Sequence, residues 1–145
     1  MNTTQETRPP ETLSELLDLG IRSMRGLDRE TYFPESMAWH EKPNEDEPCY
    51  VCLAGAVMAA VFKPDDHGNP SSYDDKWKEC FMALDDLRTG DVVWAQKKMG
   101  GSLEDVSERL RYTDIENKNF VGWDETEEFL GEMEWLLDEL KQEGL

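Results

Sequence analysis

The chain is short of the side chains that carry most enzymatic chemistry. It has two histidines and three cysteines in 145 residues. Neither histidine is tied by a motif to a Ser or Cys nucleophile, so no nucleophile-and-base constellation can be assembled from the sequence. The glycines match neither a phosphate-binding loop nor a dinucleotide fingerprint. The reading is therefore a non-enzymatic protein without a cofactor. An odd number of cysteines gives no disulfide framework, and the N-terminus lacks a basic start followed by an apolar run. Both point to a soluble protein of the cytoplasm.

Positive charge is scarce as well. Lys and Arg number 15 against 33 Asp and Glu, a formal net charge of -18. Such a field disfavours nucleic acid and anionic membranes as direct partners and favours basic protein surfaces, including those that normally hold phosphates. The competing explanation is that the acidity only secures solubility.

Long apolar runs are missing, with one exception. Residues 49–62, CYVCLAGAVMAAVF, hold 14 residues without a charge. That is too short to span a bilayer and suits a buried core helix. Ala54, Ala56, Ala59 and Ala60 favour helix and allow close approach of neighbours, and Glu45, Asp46 and Glu47 just ahead suit a helix N-terminus. The spacing predicts a central helix packed on several sides, and its alanine-rich surface is compatible with a homodimer.

What the sequence has in quantity is helical periodicity. Thr12-Leu-Ser-Glu15 carries capping-box spacing, and Leu13, Leu16, Leu17, Ile21 and Met24 follow as one stripe that stops at Gly26. Residues 27–48, with three prolines, read as a long connection with a short helical turn near Glu35 to Trp39. After a turn-rich loop at 63–71, a helix starts at Ser72, with Tyr73, Trp77, Cys80, Phe81, Leu84 and Leu87 inward. Val92 to Trp94 reads either as a short helix or as part of one minor strand pair, and Leu103, Val106 and Leu110 mark a further helix. Asp124-Glu-Thr-Glu127 caps the last one, whose stripe is Phe129, Leu130, Met133, Leu136, Leu137 and Leu140. The expectation is a predominantly all-α domain over 11–145, five or six helices around the central apolar one, behind a flexible tail at 1–10. Large aromatics argue for a folded core in spite of the charge.

Three sets of residues are candidate sites. Cys49-x-x-Cys52 with Cys80 and His40, or His67 in its place, would supply four zinc ligands, but the second close pair that marks zinc knuckles is missing. Buried structural cysteines are favoured over a metal site. Trp39 and Trp94 would serve an adaptor binding through an apolar surface. The third set is acidic. Nine acids and one lysine lie between 124 and 145, and the apolar stripe leaves Glu125, Glu128, Glu132, Glu134, Asp138 and Glu139 for other faces, with Glu104 and Glu108 ahead of them. Helix neighbours three or four apart are about 5–6 Å from each other, a spacing similar to that of phosphates along a strand.

Cys49-Tyr-Val-Cys-Leu-Ala-Gly-Ala-Val-Met58 resembles a segment of small uncharacterised bacterial and bacteriophage proteins with a Cys-x-x-Gly-Ala core helix. In size, acidity and lack of catalytic motifs the chain is similar in type to phage-encoded anti-defence inhibitors, including nucleic-acid mimics of the anti-CRISPR and anti-restriction kind. That likeness implies stoichiometric binding to a basic, nucleic-acid-binding host protein in the host cytoplasm.

Overall fold

The structure is a computed structural model and describes residues 9–36, 38–42, 44–62, 75–89 and 120–145. Within these, the chain is predominantly helical with a minor three-stranded sheet. The order is α1 (Leu13–Arg25), β1 (Tyr32–Pro34), β2 (Trp39–Glu41), β3 (Cys49–Val51), α2 (Leu53–Phe62), α3 (Asp75–Thr89) and α4 (Trp123–Gln142).

Helix α1 begins where its capping spacing places it. The extended Thr12 accepts the Glu15 amide on its hydroxyl at 3.2 Å, while the Glu15 carboxylate accepts the amide of Glu11 instead of that of Thr12. Arg22 and Arg25 occupy the last turn, where the dipole favours cations, and Gly26 closes the helix. Its five predicted apolar residues are all buried. Asp28 then accepts the Thr31 hydroxyl at 2.6 Å and the Glu30 amide at 3.1 Å, which turns the chain into β1.

Residues 27–48 differ from the expected loop with a helical turn. They supply two of three strands in the order β1-β3-β2, with β1 parallel to β3 and β2 antiparallel to it. The 49–62 segment is likewise not one helix. Cys49–Val51 is a strand, and α2 starts only at Leu53. The reason is non-local: the Cys49 amide donates to Thr31 O, and Val51 O accepts the Glu35 amide, so strand pairing claims three residues that composition assigns to helix. Glu45, Asp46 and Glu47 therefore lie between β2 and β3 instead of heading α2.

Helix α2 is buried from Leu53 to Ala59 and touches α1, α3, β2 and β3. Each fully buried Leu, Val or Met side chain contributes about 1.5–3 kcal/mol. Helix α1 lies between α2 and α4, and α3 adds Trp77, Cys80, Phe81, Ala83, Leu84 and Leu87 to the same core. The inward stripe of α3 is the predicted one over its described part; Tyr73 lies outside the described residues. So do the tail at 1–8, the 63–71 loop, the Val92–Trp94 segment and the helix expected around Leu103 to Leu110. No helix among the described residues is long and apolar enough to cross a membrane.

The Cys-x-x-Gly spacing has a backbone explanation. The Cys52 amide donates to Ala38 O, and Cys52 O accepts the first amide bond of α2, from Ala56 at 2.8 Å. One turn in, a Cβ on Gly55 would stand 2.7 Å from Trp39 O and 2.9 Å from Ala38 O. Only a residue without a side chain lets the helix cross β2 this closely. The strand is irregular at the same place, with a register shift between Trp39 and Glu41 and the buried His40 at φ 130, a conformation that is strained for a residue with a Cβ.

Two glycine substitutions should thus have opposite signs. Gly131 is exposed in the middle of α4, where an added Cβ would meet nothing within 4 Å. Gly131→Ala should therefore gain about 0.5–1 kcal/mol. Gly55→Ala gains the same helix propensity but must displace strand backbone, and should lose a net 1–3 kcal/mol or so. Thermal or urea unfolding of the two variants checks both signs.

Candidate functional site

The start of α4 is fixed by a short crossing with the sheet. Gly122 donates its amide to Pro34 O at 2.9 Å, and Ser36 donates its amide to Phe120 O at 3.0 Å. The Ser36 hydroxyl accepts the Phe120 amide at 2.8 Å and donates to Phe120 O, and Glu35 bridges to Val121. The cap is Gly122, at φ 93, and the Thr126 hydroxyl donates to its carbonyl at 2.6 Å. The expected cap at Asp124 is replaced because this crossing sets the entry one residue pair earlier; Asp124 and Glu125 fall in the first turn, which suits their charge. At the other end Ser14 donates its amide to Leu145 O. Helices α1 and α4 are therefore antiparallel neighbours.

The inward stripe of α4 is the expected one, with Thr126 added. Opposite it, Glu125, Glu128 and Asp138 are exposed, and Glu132 and Glu139 are half-buried. Among the described residues no cation lies within ion-pair distance of Glu125, Glu128 or Asp138. Glu104 and Glu108 lie outside the described residues.

Glu134 belongs to a different flank from Glu125 and Glu128. Arg25 donates to its carboxylate at 2.5 Å, and Arg29 approaches Glu127 at 3.9 Å. The hydrogen bond from Arg25, with its charge as a smaller cause, holds the Glu134 carboxyl below the ordinary glutamate value and raises the Arg25 guanidinium. Both pairs are well exposed, so each contributes little to stability. Arg29 also covers the Trp123 ring, its guanidinium carbon 4.7 Å from the centroid. The basic residues that end and follow α1 thus neutralise Glu134 and Glu127 on one side of α4 and leave the other side to Glu125 and Glu128; Asp138, one turn beyond Glu134, has neither arginine within ion-pair distance. Helical spacing groups all these acids together, because it does not tell which flank a neighbouring helix covers.

Trp135, 37 % exposed within this acidic surface, is a candidate that the sequence pattern does not single out. The available signal is its place outside the apolar stripe. Trp39, by contrast, is half-buried and meets the Phe81 ring edge-on at 6.2 Å, which leaves little of it for an adaptor surface; Trp94 lies outside the described residues.

The three cysteines are thiols, and all are buried. Cys49 sits in a small cluster with Tyr32, Val51 and Ala59, whereas Cys52 and Cys80 belong to the main core. Among the described residues no three His, Cys, Asp or Glu side chains are grouped to hold a metal ion, so Cys49, Cys52, Cys80 and His40 are not assembled as a ligand set. Burial pushes the Cys49 thiol up to about 11 and the neighbouring Tyr32 phenol up to about 12.

Comparison with known proteins returns no match: no family model, curated protein or solved structure is significantly similar to the chain.

The raised thiol value sets a pH dependence. Because folding keeps Cys49 protonated, its contribution to stability is full below the ordinary thiol value of 9.0 and is lost as pH rises through about 11. Melting temperature should fall over that window, and Cys49→Ala should flatten the fall up to about pH 10, before Tyr32 contributes. Near neutral pH, thiol titration with a disulfide reagent should find Cys49 unreactive in the native protein and reactive in urea.

Proposed function

We propose that this is a non-enzymatic acidic protein that binds a basic surface of a host protein, and that the surface it covers normally holds nucleic acid. The observation that supports this reading best is the set of outward carboxylates on α4, Glu125, Glu128 and Asp138, for which the described residues offer no counter-charge. Like charges on adjacent turns destabilise a helix. Arg25 and Arg29 compensate Glu134 and Glu127, and Glu125 and Glu128 on the opposite flank keep their repulsion, which a basic partner would relieve.

Glu125 and Glu128, three residues apart, stand at a distance of the order of the phosphate spacing in a nucleic acid strand, and Asp138 follows about 15 Å further along the helix. The reading is therefore mimicry of DNA or RNA, in the manner of a phage inhibitor of a nucleic-acid-directed defence system acting in the host cytoplasm. It includes the fuller bundle of five or six helices expected from the sequence. The buried face of α4 holds the fold and the outward face carries the charge, so binding and stability separate by residue.

That separation makes the reading testable. The triple variant Glu125→Lys, Glu128→Lys, Asp138→Lys should keep its helical circular dichroism and melt within a few degrees of the parent. Immobilised parent protein should retain a nucleic-acid-binding protein from bacterial lysate at low salt, release it at high salt, and yield it to competing duplex DNA or RNA. The triple variant should bind that protein at least roughly tenfold more weakly. Equal retention by parent and variant, or failure of nucleic acid to compete, would overturn the proposal.

A further inference from the structure

We infer that Trp135 anchors this interface, and that its occupant is an arginine side chain of the basic partner, lying on the indole face with its N–H groups directed to the Asp138 carboxylate one turn away. The inference deepens the acidic-face reading of α4 and rests on it.

Helix α4 already contains the arrangement once. Arg29 covers the Trp123 ring at 4.7 Å from the centroid and brings its Nη2 to 3.9 Å from Glu127, four residues further along the helix. One guanidinium thus uses an indole and an acid on adjacent turns together. Trp135 offers a similar setting on the same helix, with Asp138 three residues after it. Unlike Trp123, it has no ring stacked on it and no cation over it among the described residues. It stands clear of the buried stripe, 37 % exposed.

The surroundings leave room for an incoming group. Gly131 lies one turn before Trp135 on the same helix. A Cβ at Gly131 would meet nothing within 4 Å. The helix surface is therefore open on that side of the tryptophan, and Asp138 lies one turn beyond it.

Charge decides among occupants. A second copy of this chain would bring another net -18 to the same surface, and a stacked nucleobase would bring its phosphate among the acids; both are opposed by repulsion. A cation is attracted by the ring and by the carboxylates at once. Arginine fits better than lysine because its guanidinium is planar, weakly hydrated and able to stack while its N–H fork stays free for carboxylates.

The test uses two peptides of equal charge, nona-arginine and nona-lysine, titrated against the full chain by calorimetry at moderate salt. The parent should bind the arginine peptide about two- to fivefold more tightly than the lysine peptide, the range expected of an exposed cation–π contact. Trp135→Leu, with folding verified by circular dichroism, should bring the arginine affinity down to that of the lysine peptide, and Trp135→Phe should retain part of the preference. If both peptides bind the parent equally, or the preference survives in Trp135→Leu, the anchor is wrong while the acidic-face reading stands. If neither peptide binds even at low salt, the acidic-face reading fails and the anchor with it.

Discussion

The crossing of α2 over β2 is the constraint on which the rest of this structure depends. A helix with hardly a polar atom on its surface must be covered on every side, and here the cover comes from two helices and a sheet edge. Gly55 lets the helix backbone lie against the Ala38 and Trp39 carbonyls, and the bond from the Cys52 amide to Ala38 O fixes its first turn. Satisfying that carbonyl matters because a buried backbone acceptor left without a donor costs more than an ordinary hydrogen bond contributes. The cysteine pair and the glycine thus answer to different demands. Cys49 opens a strand, Cys52 begins a helix, and Gly55 gives the two elements room.

Much of the helical part is legible in the sequence, and the sheet is not. Periodic burial along α1, α3 and α4 follows from 3.6-residue spacing, which is a local property. The pairing of Tyr32 with Cys49 and of Pro34 with Val51 joins segments with another strand between them, and three-residue strands are too short to show an alternation. Composition at 49–51 is as compatible with a buried helix as with a strand, so the deciding information sits at Thr31 and Glu35, outside the segment. The start of α4 has the same cause. A capping pattern at Asp124 competes with the bridge that ties Phe120 and Gly122 to Pro34 and Ser36, and the tertiary contact prevails.

The acidic face is legible in kind and not in extent. A count of carboxylates on a helix says that one side must be charged, because the apolar stripe occupies the other. It says nothing about which acids meet an arginine from elsewhere in the chain. Arg25 and Arg29 stand far from α4 in sequence, yet antiparallel packing of α1 on α4 brings them to Glu134 and Glu127. Trp135 is hidden from a sequence pattern for a related reason. An aromatic outside the core stripe contributes nothing to a folding argument, so it acquires meaning only once its surroundings are known.

Core, sheet and acidic face depend on one another through the placement of charge. Neutralising cations follow α1 because its C-terminus favours them, and α1 can lie beside α4 only because both pack around the core that α2 fills. The side of α4 facing α1 is therefore compensated as a by-product of folding, and the asymmetry of the remaining field is set by topology rather than by composition. A chain of the same composition with the basic residues spread along α4 would be as soluble and would fold with less repulsion, but would present no such field. Solubility is served by the net charge alone, whereas its distribution over α4 follows from where α1 packs.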